Sequence, residues 1–242
     1  MKVYGLIGKP LTHSFSRTYF SDKFSKEGIN DCLYKNFPLH TIEELIPLIY
    51  SMPDLKGLNV TIPYKEKVIP YLHHKDKVVS EVGACNCIKI TNKELYGFNT
   101  DVTGFTNSLQ PYLKPTHKKA LILGTGGAAK AVAYGLKQLE IEYCFISRDR
   151  SKGLVYNDVD EKILSEHLLV INTSPVGMYP DVNDAPDLPY QFLSTEHLLF
   201  DLIYNPAKTK FLQEGEKRGA SVLNGHQMLI LQAEESWKIW NN

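Results

Sequence analysis

The 242-residue sequence predicts an α/β protein of two α/β domains. Three observations carry that expectation. Short apolar runs alternate with helical segments along the chain, the pattern of strands separated by helices. A polar stretch, Lys114-Pro115-Thr116-His117-Lys118-Lys119, interrupts the alternation near its middle. Directly after it, "ALILGTGGAAKAVAYGL" runs from apolar strand through glycine-rich loop into helix. The second domain is expected to begin near residue 102.

The elements follow in order. "KVYGLIG" is a strand, and "SFSRTYFSDKFSKEG" a helix opened near Ser14 or Ser16 and stopped by Gly28. "CLYKNF" is a second strand, and Thr41 with Glu44 predicts a capping box for a helix to about Ser51. In "GLNVTIPYKE", Leu58, Val60 and Ile62 alternate with Asn59 and Thr61, which predicts a strand with one apolar face, ended by Pro63. "NCIKIT" and "ELYGFN" are two more strands, joined at Asn92-Lys93, and "TDVTGFTNSLQPYL" is a connecting helix. After the boundary come strands "ALILG", "YCFIS", "LLVINTS", "LLFDLIY" and "SVLN", then the final helix "HQMLILQAEESWKIW". The stretch "GLVYNDVDEKILSEH" is short for a full crossover, so one is expected to be abbreviated.

Lysine plus arginine balances aspartate plus glutamate at 27 each, so no global field gathers nucleic acid or an anionic membrane. No apolar run approaches the ~20 residues of a membrane span, and the first residues lack a signal-peptide core. The expected partner is a small molecule, the expected location cytoplasmic. Alternation places the sulfurs of Cys85 and Cys87 on one strand face as buried thiols; with no second Cys/His pair at zinc spacing, no metal site is expected. His73-His74 reads as a solvated helix end.

The loop Gly124-Thr125-Gly126-Gly127-Ala128-Ala129 is G-x-G-x-x-A, in register between strand and helix. Gly124 permits the turn, Gly126 lets backbone approach a pyrophosphate, and Ala129 keeps the helix near its strand. The unpaired N–H groups at the helix start face the phosphates. The next strand ends Ser147-Arg148-Asp149-Arg150-Ser151-Lys152. Here Arg148 can stack on adenine and pair with a 2′-phosphate, and Lys152 adds charge. NADP is therefore preferred over NAD, although Asp149 would repel that phosphate if it pointed inward; the plain alternative is an ordinary basic surface loop.

Several polar side chains gather at or beyond the carboxyl ends of the first-domain strands: Ser14 and Ser16, Asn59, Thr61 and Lys65, Asn86, and Asn99, Thr100 and Asp101. Open α/β sheets bind ligands at such ends. Each has a structural explanation on its own: Ser14 or Asp101 as an N-cap, Asn86 on a polar strand face, Lys65 in solvent. Together they make a pocket suited to a small polyhydroxylated acid.

Seven ordered motifs resemble the shikimate dehydrogenase family: "GLIGKPLTHSFSRTYF", "GLNVTIPYKE", "GACNCI", "GFNTDVTGF", "LGTGGAAKA", "DLIYNP" and "GHQMLILQA". The resemblance implies a substrate domain with a mixed sheet at 1–101, a Rossmann-type NADP-binding domain at 102–225, and a final helix, 226–242, returning to the first domain. It implies that Ser14, Ser16 and Tyr204 hold the substrate carboxylate, that Thr61, Asn86 and Gln232 bind ring hydroxyls, and that Lys65 and Asp101 form the catalytic pair. Gly124, Gly126, Gly127, Ala128, Ser147, Arg148, Lys152 and Thr173 would bind the cofactor, with Asn172 and Ser174 near it and Gly225 and Met228 by the nicotinamide. The implied reaction is reversible reduction of 3-dehydroshikimate to shikimate with NADPH, in aromatic amino acid biosynthesis, by a monomer or homodimer. The family's N-R-T at the 2′-phosphate stands here as Ser147-Arg148-Asp149, and Lys152 stands where arginine is common. The rival readings are a quinate/shikimate dehydrogenase with relaxed NAD/NADP use and an NADPH-binding sensor without turnover.

Overall fold

The computed structural model describes residues 1–11 and 14–242, so Thr12 and His13 of the opening motif lie outside the described residues. Contacts divide the chain into two compact units, 1–100 with 233–242 and 101–232.

The first unit is built on a six-stranded mixed sheet. Strand β1 (Lys2–Gly8) leads to helix α1 (Phe15–Lys26), which ends before Gly28. Strand β2 (Cys32–Pro38), helix α2 (Leu45–Ser51) and strand β3 (Leu55–Val60) follow. Then come the two-residue β4 (His74–Lys75), helix α3 (Lys77–Val82), and strands β5 (Cys87–Thr91) and β6 (Glu94–Phe98). The sheet order is β2-β1-β3-β5-β6-β4. Strand β1 pairs parallel with β2 and β3, and β5 pairs antiparallel with β3 and β6. Asn92 and Lys93 turn the β5–β6 hairpin with φ of 52° and 66°, the left-handed conformation such two-residue turns require.

Four local expectations are corrected here. Strand β3 stops at Val60 and is buried along Gly57–Val60 on both faces, while Ile62 is 73% exposed; a strand inside a sheet covered on both sides has no solvent face. Cys85 precedes β5 and packs in a different apolar cluster from Cys87. His74 pairs at the sheet edge and stacks on Tyr96 at 4.4 Å, so it is no helix end. The Thr41 side chain makes no capping bond to the helix; Glu44 instead accepts from the His40 N–H at 3.1 Å, and the segment opens as a 3₁₀ turn before α2.

Helix α4 (Thr100–Leu109) leads into the second unit, a five-stranded all-parallel sheet of order β11-β10-β9-β7-β8. Its elements are β7 (Lys119–Leu123), α5 (Gly127–Gln138), β8 (Glu142–Ile146), α6 (Glu161–Glu166), β9 (Leu169–Asn172), β10 (Leu198–Asp201), α7 (Lys210–Lys217) and β11 (Ser221–Leu223). Apolar clusters cover both faces, so the central strands read as unbroken apolar runs. The β8–β9 crossover is shortened to the six-residue α6, and among the described residues β9 and β10 are joined without any α-helix.

The last helix, α8 (His226–Asn241), spans the boundary between the two contact units, which falls after Gln232. From Ala233 onward it belongs to the first unit. There Trp240 stacks on Tyr4 at 4.9 Å and donates its indole N–H to the Ile88 carbonyl at 3.0 Å.

Candidate active site

In the first unit the sheet register brings the candidate residues to one edge. Parallel pairing aligns Ile7 of β1 with Val60 of β3, so the segments bearing Ser14 and Ser16 and those bearing Thr61 and Lys65 leave the sheet side by side. Asn86 precedes β5 rather than ending a strand. Because β5 runs antiparallel, with Asn59 opposite Cys87 and Cys87 opposite Phe98, the start of β5 lies at that same edge. The backbone of Asn86 is held from both sides: its carbonyl accepts the Val60 N–H at 2.8 Å and its N–H donates to Phe98 at 3.1 Å.

The side chains at this edge differ in what they are free to do. Ser14 is the N-cap of α1, accepting the Arg17 N–H at 3.3 Å, and Ser16 lies in the helix's first turn, half-buried. Thr61 and Lys65 are half-buried, and the Lys65 carbonyl accepts the Cys85 N–H at 2.8 Å, tying the lysine segment to the one that carries Asn86. Asn59 is not a pocket residue. It is 4% exposed; its Oδ1 accepts the Tyr34 hydroxyl at 2.8 Å, and its Nδ2 donates to Ser236 at 2.9 Å and to the Asn86 carbonyl at 3.4 Å. With both donors and its acceptor used, the amide has little left for a ligand. Asn99 is likewise buried, donating to the Ala84 carbonyl at 2.9 Å.

Tyr34 and Ser236 are neighbours of the candidate residues that sequence reasoning missed. Burial pushes the Tyr34 phenol well up, offset in part by a hydrogen bond from Ser16. Ser236 was legible in principle, since it shares the buried face of the last helix with Ala233 and Trp240 at helical spacing.

In the second unit, Gly124, Gly126, Ser147, Arg148, Lys152 and Thr173 line one cavity of about 660 Å³. Gly124 sits at φ +109°, where a side chain would be strained and its Cβ would meet Thr173 Oγ1 at 2.9 Å. Gly126 caps α5, Gly127 and Ala128 open it, and a Cβ at either Gly126 or Gly127 would face open space. The helix start is therefore open to an anion, as a dinucleotide pyrophosphate requires. Thr173 fixes the floor, its hydroxyl donating to the Leu123 carbonyl at 2.7 Å.

Asp149 does not stand as an uncommitted charge in this cavity. Its Oδ1 accepts from the Ser151 N–H at 3.0 Å and hydroxyl at 2.7 Å, and Lys152 Nζ lies 3.7 Å from Oδ2. The Ser151 bonds, with help from Lys152, hold its carboxyl below the ordinary range. Arg150 turns away to a paired contact with Asp158 at 2.9 and 3.0 Å. Arg148 is exposed and enters no ion pair among the described residues, so it stands on this rim as an unpaired cation beside Lys152, which is paired with Asp149.

Tyr204, Gly225 and Met228 lie outside that cavity. Tyr204 is exposed beyond β10, Gly225 packs its α-carbon against the Leu202 carbonyl, and Met228 joins the apolar core. Gln232 is buried, its Nε2 donating to the Leu229 carbonyl at 2.9 Å. Asp201, the last residue of β10, ties that strand to β9: it accepts from Asn172 Nδ2 at 3.1 Å, and also from the Ile203 N–H at 3.0 Å and the Thr209 hydroxyl at 2.5 Å. Burial nevertheless pushes its carboxyl from 3.8 up to about 6. No cluster able to hold a metal ion occurs among the described residues, and no helix of theirs is long and apolar enough to cross a membrane.

A family model described as the shikimate dehydrogenase substrate binding domain matches residues 6–88. A shikimate dehydrogenase (NADP(+)) of Carboxydothermus hydrogenoformans is 36% identical over 258 residues, covering 99% of this chain and 91% of the relative. The chain belongs to the shikimate dehydrogenase family. Solved members share the fold: the Aquifex aeolicus shikimate dehydrogenase superposes with a TM-score of 0.88 at 32% identity, covering 100% of this chain and 92% of that one. The Thermus thermophilus shikimate 5-dehydrogenase, solved in complex with NADP(H) and shikimate, gives 0.88 at 28% identity, covering 99% and 93%. The substrate-domain model ends at Ile88. The shikimate dehydrogenase resemblance of Asp101, the glycine loop and Gln232 thus rests on these full-length likenesses.

Proposed function

We propose that the chain catalyses the NADP-dependent, reversible reduction of 3-dehydroshikimate to shikimate. The observation that carries this reading is the 36% identity across 99% of the chain to an NADP-linked shikimate dehydrogenase; the glycine-loop cavity with Arg148 at its rim supports it. The first segment, 1–101 with the terminal helix 226–242, serves the substrate, and 102–225 serves the dinucleotide. NADP, when bound, supplies the hydride chemistry. The α5 N-terminus with Gly124, Gly126, Gly127 and Ala128 would hold its pyrophosphate and Arg148 and Lys152 with Ser147 its 2′-phosphate; Thr173 would lie near the cofactor, with Gly225 and Met228 by the nicotinamide.

On the substrate, Ser14, Ser16 and Tyr204 hold the carboxylate, and Thr61, Asn86 and Gln232 take ring hydroxyls. Lys65 polarises the ketone oxygen and gives it a proton as the alkoxide develops, a task that suits an ammonium, which at neutral pH is a good donor and a poor base. Asp101 orients that ammonium and accepts from a neighbouring hydroxyl. The enzyme acts as a monomer or homodimer on this small-molecule acid, with neither nucleic acid nor membrane as partner. We place it in the cytoplasm, the compartment that suits its free thiols at Cys32, Cys85, Cys87 and Cys144.

The test is the absorbance change at 340 nm with shikimate and NADP+, repeated with quinate and with NAD+. Turnover fastest with shikimate and NADP+ supports the reading; turnover favouring quinate and NAD+ would transfer the chain to the quinate-oxidising relatives, and binding without turnover would make it a sensor.

A further inference from the structure

The strongest unexplained feature is a buried hydroxyl in the terminal helix. Ser236 is 0% exposed yet polar; it bridges Asn59 and Thr100 and also bonds the Cys87 thiol. Its Oγ accepts from Asn59 Nδ2 at 2.9 Å and lies 3.2 Å from Thr100 Oγ1. Both groups hold Asn86, which is itself 3% exposed. Thr100 grips the Asn86 side chain: its N–H donates to Oδ1 at 2.7 Å, and its hydroxyl accepts from Nδ2 at 3.0 Å. Asn59 reaches the Asn86 backbone carbonyl.

The donor pattern fixes the Asn86 amide. The Thr100 backbone N–H can only donate, so the atom facing it must be Oδ1, which settles the flip of the amide. One Nδ2 hydrogen goes to Thr100 and the other remains for a ligand hydroxyl. Were the Thr100 hydroxyl free to rotate, that remaining N–H would lose its fixed direction. Ser236 restrains that rotation by engaging the Thr100 oxygen at 3.2 Å.

We propose that Ser236 is a positioning residue for substrate recognition, acting through Thr100 and Asn59 to hold the Asn86 amide with one N–H directed at a ring hydroxyl. The proposal rests on the functional reading above, in which Asn86 binds such a hydroxyl. It does not make Ser236 a catalytic residue, since its hydroxyl is spent on protein groups.

The experiment is steady-state kinetics on the full-length Ser236→Ala and Thr100→Val variants, with melting temperatures. Each variant is measured with shikimate, with NADP+ varied, and with analogues of shikimate that each lack one ring hydroxyl. Both variants should raise the KM for shikimate about tenfold, the scale of one buried hydrogen bond lost from a network, and leave the KM for NADP+ unchanged. The penalty should shrink to within about twofold for the analogue lacking the hydroxyl that Asn86 reads, because the misdirected N–H then has nothing to miss. An unchanged KM, or the same penalty with every analogue, would overturn the proposal, the second because a general loss of structure does not discriminate between hydroxyls. If Ser236→Ala fails to fold, Thr100→Val decides by the same criteria. A wild-type enzyme inert toward shikimate would defeat the functional reading instead.

Discussion

Lys65 and Asp149 carry the two residue-scale predictions. If Lys65 delivers the proton, Lys65→Ala should lower kcat by about 10²–10⁴-fold, the range for a positioned acid, with a much smaller change in the KM for shikimate. A variant whose KM rises while kcat stays put would make Lys65 a binding group only. Asp149 sits on the rim of the cavity with its carboxylate committed to Ser151 and Lys152. Replacing it by serine removes a negative charge beside Arg148 and releases Lys152. The KM for NADP+ should fall about fivefold, as for one exposed charge contact, and the KM for NAD+ should not move. A rise in the KM for NAD+ would show instead that Asp149 holds a ribose hydroxyl. The sequence exposed the existence of this conflict between Arg148 and Asp149 but not its outcome, because the direction of a short carboxylate depends on which N–H and hydroxyl lie within reach of it.

Elements set the stability predictions. The last turns of α8 are anchored by Trp240, which packs among Tyr4, Phe20 and Tyr34 and hydrogen-bonds β5 through Ile88. Trp240→Ala should cost roughly 3–5 kcal/mol of unfolding free energy, as large buried aromatic truncations do, read as a lower urea midpoint. In the second unit the ends of β9 and β10 are clamped by Asn172 and Asp201. The Asp201 carboxyl titrates near 6 when folded and near 3.8 otherwise. A raised acid favours the folded state while protonated, so its contribution is full below about pH 3.8 and is lost as pH rises through about 6. Asp201→Asn, which does not titrate, should lose that decline: plotted against pH from 4 to 7, the wild-type melting temperature should fall relative to the variant. Parallel curves would remove Asp201 as the cause. The strand-and-helix order and the Asn92-Lys93 hairpin were legible in the sequence, since apolar period and turn chemistry are local. What was not legible depends on neighbours distant in the chain: that β3 lies inside its sheet and so buries Asn59, that β5 runs backwards and delivers Asn86 beside the end of β3, and that Ser236, 150 positions after Asn86, bonds the two residues that hold it.

At the scale of the molecule, the proposed function draws on different groups in the two compact units. One presents hydroxyl, amide and ammonium groups at the edge of a mixed sheet, and the other an open helix start and an arginine at the end of a parallel one. The proposed function needs both sets, one for a hydroxy acid to oxidise and one for a dinucleotide to take its hydride, in one turnover. Initial rates at 340 nm with shikimate and NADP+ are the decisive measurement. The expected result is saturable reduction of NADP+ that depends on shikimate and collapses in Lys65→Ala. Binding of both ligands with no absorbance change in the wild-type enzyme would contradict it.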